Sequence, residues 1–249
     1  MLSAQLPSGG FPQTYPRASG YHAHITFNDG AMIGVLRVLK DAADGQPHFA
    51  WLDEARRAKA QDAVRRGVAC ILKCQIQVAG QRTGWCQQHD RGTFAPAAAR
   101  TFELASICPQ DTTEIVRFLM TIDGTYSIAK SAGTDPAVIA AIDDAVAWLT
   151  KVRLTGVRVE RVAAPREEFQ RHTADFDSIV RQDPQAPPIW ARHYEIGTNR
   201  PIFAGRDAVK KYELAAIERE RRTGTPWYGG WPRRLLEVEY PAWQKSLQR

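Results

Sequence analysis

The stretch from Asp53 to about Val78 constrains the fold most, because it reads as one long helix. Asp53 and Glu54 stand at its start, where negative charge complements the helix dipole. The first half carries Ala58, Asp62, Arg65 and Arg66 and suits solvent. The second half sets Val64, Val68, Ile71, Leu72 and Ile76 on an apolar stripe, and Gly80 follows as a stop. That stripe needs helical partners, and three other segments have the same periodicity. Asn28 or Asp29 can cap a helix with Met32, Val35, Leu36 and Leu39 on one face, closed by Gly45 and Pro47. Thr112 or Thr113 can open a helix from Glu114 to about Asp123, with Ile115, Phe118, Leu119 and Ile122 inward. Asp135-Pro136 opens another, with Pro at the first position and Val138, Ile139, Ile142, Val146 and Leu149 as its stripe.

Strand signals are few. GVRVERV alternates, IWARHYEI reads as a second short strand, and Pro165 to Pro188 reads as a loop excursion. A basic helix is expected over Lys210–Arg222 and a last helix from about Arg233. The Pro- and Gly-rich opening reads as an irregular arm around the domain. Nothing resembles alternating strands and helices or a Gly-rich phosphate loop. The expected class is therefore all-α, mainly helical, with a few short strands and a layout such as a helical toroid.

Composition sets further bounds. No run of 18 apolar residues occurs, which excludes a membrane-spanning helix, and the start lacks a basic region followed by an apolar one. The net charge of +6 favours anionic partners, but the excess is spread along the chain. Cys70, Cys74, Cys86 and Cys108 form no CxxC pair, which argues against a zinc ribbon; disulfides and buried thiols both remain open.

Hydrolase signatures such as GxSxG and HExxH are absent, and His22 and His24 would share a face only on a strand. Two acidic residues in loops stand out. Asp29 in FNDG either caps a helix or offers a carboxylate; Asp90 in WCQQHD either forms an Asx turn or does the same. Converging, they could hold a hard cation through oxygen ligands. The last third is rich in arginine, with Arg192, Arg200, Arg206, Arg219, Arg221, Arg222, Arg233 and Arg234. These are either a solvated face ion-paired to Glu213, Glu218 and Glu220, or an anion cradle, since guanidinium forks match carboxylates. Interleaved aromatics could stack on sugars or pack a core. A hydrolase using an Asp29–Asp90 pair and a non-catalytic module for an acidic polymer fit the same residues.

Long ordered motifs carry a more specific signal. GGFPQTYP, ITFNDGAM, QRTGWCQQHD, FAPAAARTFELASIC, EIVRFLM, WARHYEIGTNRPIFAGRD and KYELAAIERERRTGTPWYGGWP resemble the polysaccharide lyase family 10 pectate lyases, from about Gly9 to Trp243. The agreement is weakest at Gly124–Thr134 and Pro165–Gln182, which look like variable loops. The resemblance implies an incomplete, irregular (α/α)3 toroid, and one catalytic domain over 1–249 without the N-terminal helix and secretion signal of longer members. It implies a secreted, monomeric enzyme that cleaves polygalacturonate by calcium-dependent β-elimination and binds neither nucleic acid nor membrane. It places Asp29 and Asp90 around Ca2+, with Asn28 as a further polar contact and Glu103 as a weaker candidate. Arg206 in AGRD is implied as the base, and Arg192 and Arg221 as carboxylate-binding arginines.

Overall fold

A computed structural model describes residues 1–127 and 133–247. Its helical half follows local chemistry. Helix α1 (Ala31–Ala43) begins after Gly30 and buries Met32, Ile33, Leu36 and Leu39. Helix α2 (Glu54–Cys74) starts where Asp53 accepts a hydrogen bond from the Arg56 amide, and buries Val64, Val68 and Ile71. The two pack closely at Gly67, where a Cβ would strike the Leu36 side chain. Short strands follow: β1 (Ile25–Thr26) precedes α1, while β2 (Gln77–Val78), β3 (Gln81–Arg82), β4 (Gln88–His89) and β5 (Pro96–Ala97) follow α2. β4 is central to an antiparallel β1-β4-β5 sheet, with Ile25 opposite His89 and His89 opposite Pro96.

Helix α3 spans Pro109–Leu119, with Cys108 at its cap. It starts before the expected Thr112 because Pro109, with φ already set and no N–H to satisfy, nucleates the first turn. Helix α4 (Pro136–Lys151) starts as expected, with Asp135 accepting from the Ala137 amide. The stretch Gly124–Thr134 lies partly outside the described residues. One large core joins the four helices to Trp85, Trp190 and Tyr194. The opening arm lies against α2: Gly9 adopts φ +88, and a Cβ there would strike the Arg66 carbonyl. All four cysteines are buried free thiols.

The all-α, (α/α)3-toroid expectation is wrong. Among the described residues the chain is mixed, 42% helix and 18% strand, with four small antiparallel sheets. The largest departure is a long hairpin, β6 (Val157–Glu168) and β7 (Thr173–Gln182), where a short strand and a loop excursion were expected. Alternation marks only the start of β6; beyond it the residues are mostly exposed, and the register shifts between Ala163 and Glu167 around Pro165. The expected strand IWARHYEI is only β8 (Trp190–Ala191), paired with β9 (Tyr228–Gly229). The expected Lys210–Arg222 helix is also broken: Lys211 pairs through its backbone with Phe203, Leu214–Ala216 makes one 3-10 turn, and only Arg219–Gly224 is α-helical, as α5. Helix α6 (Tyr240–Leu247) closes the described chain. A second, smaller core of Phe102, Phe203, Ala204, Leu214, Ile217 and Trp227 supports the loops between β8 and β9. Among the described residues no helix is long and apolar enough to cross a membrane.

Candidate active site

An open groove of about 680 Å³ lies over that second core. Five arginines line it (Arg100, Arg171, Arg192, Arg206 and Arg221) against one acidic residue, Glu220. Such a lining favours a polyanion. The three arginines singled out from the sequence, Arg192, Arg206 and Arg221, therefore share one wall.

Each is held differently. Arg192 follows β8; its backbone amide donates to the Trp227 carbonyl at 2.7 Å and its Nη1 to Gln110 Oε1 at 3.3 Å. The residue is buried, and its Nε has no hydrogen-bond partner among the described residues. Arg221, on α5, lies 4.4 Å from the Phe102 ring centroid, and Arg100 lies 4.8 Å from the same ring. Burial pushes the Arg221 pKa down, and the nearby Arg206 and Arg100 charges add to the shift. Arg206 is about half exposed and doubly paired: Nε donates to Glu220 Oε2 at 2.6 Å and Nη2 to Glu220 Oε1 at 2.5 Å. Nη2 also donates to Gln170 Oε1 at 2.7 Å. Its hydrogen bond to Glu220 raises the Arg206 pKa above the usual range. The preceding Gly205 makes room for this arrangement; a Cβ there would strike the Glu218 carboxylate, whose Oε1 accepts from the Arg206 amide at 2.6 Å.

The hairpin completes the wall. Arg222 forks onto Asp177 at 2.8 and 2.5 Å, Arg219 donates to the Phe176 and Ala174 carbonyls, and His172 bonds Thr223 at 2.9 Å. A Cβ on Gly224 would approach the His172 ring to 2.7 Å. These contacts fix α5 to the hairpin and bring Gln170, Arg171 and His172 to the rim of the groove.

The carboxylates lie on the helical half. Asp29 is not the cap of α1; its backbone is left-handed (φ 55) and its carboxylate is exposed, accepting from Asn28 Nδ2 at 2.9 Å. The buried Asn28 is fixed by Gln87, whose Nε2 donates to Asn28 Oδ1 at 2.6 Å. Asp90 forms an Asx turn: Oδ1 accepts from Gly92 N, Thr93 N and Thr93 Oγ1, which holds its pKa below the ordinary value. Its Oδ2 faces His24 at 4.0 Å. The β1–β4 register sets Asp90 beside His24 at one end of the strand pair and Asn28 beside Gln87 at the other. No group of three or more His, Cys, Asp or Glu among the described residues is arranged to hold a metal ion. Glu103, buried, spends both oxygens on Arg100 at 2.7 and 2.5 Å.

Sequence reasoning missed Arg100, Asp111 and Gln170, and it named Glu220 only as an ion-pair partner of a solvated arginine face, whereas it pairs with Arg206 in the groove. Asp111 lies buried in the first turn of α3, and burial pushes its carboxyl up to about 7 despite the opposing Arg192 charge. Its position one residue after Gln110, the partner of Arg192, is visible only in three dimensions.

The pectic acid lyase family model matches residues 1–236. This chain belongs to that family. It is recognised as a family 10 pectate lyase, and a solved structure of a family 10 polysaccharide lyase from Cellvibrio cellulosa superposes with TM-score 0.80 at 28% identity. A structure of an aspartate-to-alanine variant of a Cellvibrio cellulosa family 10 lyase, in complex with trigalacturonic acid, superposes with TM-score 0.81 at 28% identity. Each superposition covers 96% of this chain and 69% of the other. No curated protein matches.

Proposed function

We propose that this pectate lyase cleaves α-1,4-linked polygalacturonate by calcium-dependent anti β-elimination, with Arg206 as the base. The observation that carries the reading is the groove wall, where five arginines face one glutamate in a chain of this family. The Arg192 and Arg221 forks match successive uronate carboxylates. Arg206 takes the proton from C5, α to the carboxylate. The C5–H electron pair becomes the C4=C5 double bond, the C4–O bond breaks, and the leaving oxygen takes a proton from water. The product carries a 4,5-unsaturated end, and no water is added across the bond.

Asp29 and Asp90 fit a hard cation by their donor chemistry. Both are carboxylates at the surface, and Asp90 Oδ2 makes no protein hydrogen bond among the described residues. Asp90 and the Asn28–Asp29 pair stand at opposite ends of the β1–β4 strand pair, so each offers only an open oxygen set, which uronate oxygens would have to complete. Calcium bound there would stabilise the negative charge that grows on the uronate carboxylate as the proton leaves. To accept a proton Arg206 must be neutral, and its Glu220 pairing opposes that, so the reading requires an alkaline optimum. The enzyme acts outside the cell, where its cell-wall polymer is found, and as a monomer.

The test is ultraviolet absorbance of polygalacturonate solutions at alkaline pH, with calcium and then with excess chelator. The reading expects rising absorbance from the unsaturated uronate that the chelator stops. A flat trace from folded protein, or cleavage that leaves the absorbance unchanged, refutes it.

A further inference from the structure

Arg206 presents an asymmetric guanidine to the groove. Nε and Nη2 are fully engaged, by Glu220 Oε2 at 2.6 Å, Glu220 Oε1 at 2.5 Å and Gln170 Oε1 at 2.7 Å. All three partners are acceptors, so each requires a hydrogen on the nitrogen it faces. Nη1 has no hydrogen-bond partner among the described residues, and the side chain lines the groove. When a guanidinium loses a proton, the lone pair appears on whichever nitrogen can spare its hydrogen at least cost. Losing it from Nε or Nη2 would leave a lone pair facing an acceptor oxygen.

We infer that Glu220 and Gln170 are positioning residues that select the neutral tautomer of Arg206 with its lone pair on Nη1, the atom that receives the C5 proton. This rests on the reading of Arg206 as the base. The logic is that of a carboxylate fixing the tautomer of a catalytic imidazole through the nitrogen it does not use. The step balances: the C5 proton joins the Nη1 lone pair, giving the guanidinium, which later returns that proton to solvent.

Other charges face the pair. From α5, Arg221 Nη2 lies 3.7 Å from Glu220 Oε1, and Glu218 bonds the Arg206 backbone amide. The hairpin tip contributes Arg171 and His172, whose imidazole bonds Thr223. Asp207, next in the chain, is occupied by Lys211 at 2.9 Å. Glu220 is thus the carboxylate that grips the Arg206 side chain. It also holds that side chain in the charged form, so positioning is gained at the expense of activity at neutral pH.

The experiment measures kcat, KM and the pH profile of polygalacturonate cleavage for Glu220→Gln, Glu220→Asp, Gln170→Leu and Arg206→Lys. Glu220→Gln is expected to lower kcat about 100-fold, the scale of a mispositioned base, with KM within about threefold. Its rising alkaline limb should move to lower pH by about one unit, because a charge that favours the guanidinium has gone. Glu220→Asp should keep the wild-type limb and recover part of kcat. Gln170→Leu, at the exposed hairpin tip, tests the idea without threatening the fold and should lower kcat about tenfold with the limb unmoved. An unmoved limb in Glu220→Gln, or a loss confined to KM, overturns the inference while leaving Arg206 as the base. Turnover retained by Arg206→Lys overturns both.

Discussion

Between Phe11 and Val152 the chain buries its apolar side chains in one continuous core, whereas the β6–β7 hairpin buries almost nothing apolar and is held by charge. Leu36, Val68, Ile71, Phe118 and Leu149 are fully buried in the first region; in the second, Val159 and Val180 stand opposite each other in the surface. The hairpin is anchored instead by the Arg222–Asp177 fork and by Arg219 on its carbonyls. The contrast separates two jobs. Apolar burial supplies the stability, roughly in proportion to area. The hairpin spends directional contacts on placing α5, and with it Glu220 and Arg221, beside Arg206. Stability and site geometry should therefore respond to different mutations.

The largest stability effect should come from the core. Trp190→Ala removes a buried indole whose Nε1 donates to the Leu149 carbonyl at 2.8 Å, and should cost about 3–5 kcal/mol in urea unfolding. Val159→Ala on the hairpin should cost no more than about 0.5 kcal/mol. Equal losses would break the comparison.

Next comes a pH effect in the helical half. Asp111 is pushed up to about 7 by burial, so the folded protein holds its proton more tightly than the unfolded chain does. That contribution is complete below about pH 4 and is lost as pH rises through 7, by at most about 4 kcal/mol. Asp111→Asn should flatten this part of the stability–pH curve, and a decline that persists in the variant would reassign it.

Asp177→Asn, which breaks the Arg222 fork, should cost about 1–3 kcal/mol of stability yet lower turnover severalfold, because α5 loses an anchor. The fork also holds the Asp177 pKa down, so its stabilisation is lost as pH falls below the ordinary carboxylate range, opposite in sign to Asp111. Activity unchanged in Asp177→Asn would show that the hairpin does not position α5. Smallest of all, Arg158→Ala removes solvent-accessible pairs to Glu160 at 3.0 Å and Asp183 at 3.2 Å and should change stability by less than about 1 kcal/mol, with salt removing the difference.

The same division explains what the sequence revealed. Caps and stripes are local, so Asp53 before α2 and Asp135-Pro136 before α4 were legible. The start of α3 was misread because two threonines look like caps while Pro109 nucleates earlier. Of the hairpin only the alternating start of β6 was legible; the rest was hidden because Pro165 at its bulge reads as a break and β7 is exposed along much of its length. Asp29 was ambiguous between cap and available carboxylate; the N-cap of α1 is Gly30, and the Asp29 carboxylate instead accepts from Asn28 Nδ2. Motif resemblance singled out Arg192, Arg206 and Arg221, and the fold gathers them in one groove. Arg100 and Gln170 escaped notice because their partners are set by tertiary placement, with Gln170 on a hairpin read as a loop, and Glu220 was legible as an arginine partner but not as the partner of Arg206.

The central claim is that Arg206 accepts the C5 proton, and Arg206→Lys tests it most directly. Turnover of polygalacturonate and binding of trigalacturonate would be measured on the same folded sample, at alkaline pH with calcium. The account predicts a fall in turnover of about 10³-fold or more with binding nearly intact. Retained turnover with weakened binding would contradict it, reducing Arg206 to a carboxylate contact and directing the search for the base to Arg221, the groove arginine whose charge burial disfavours.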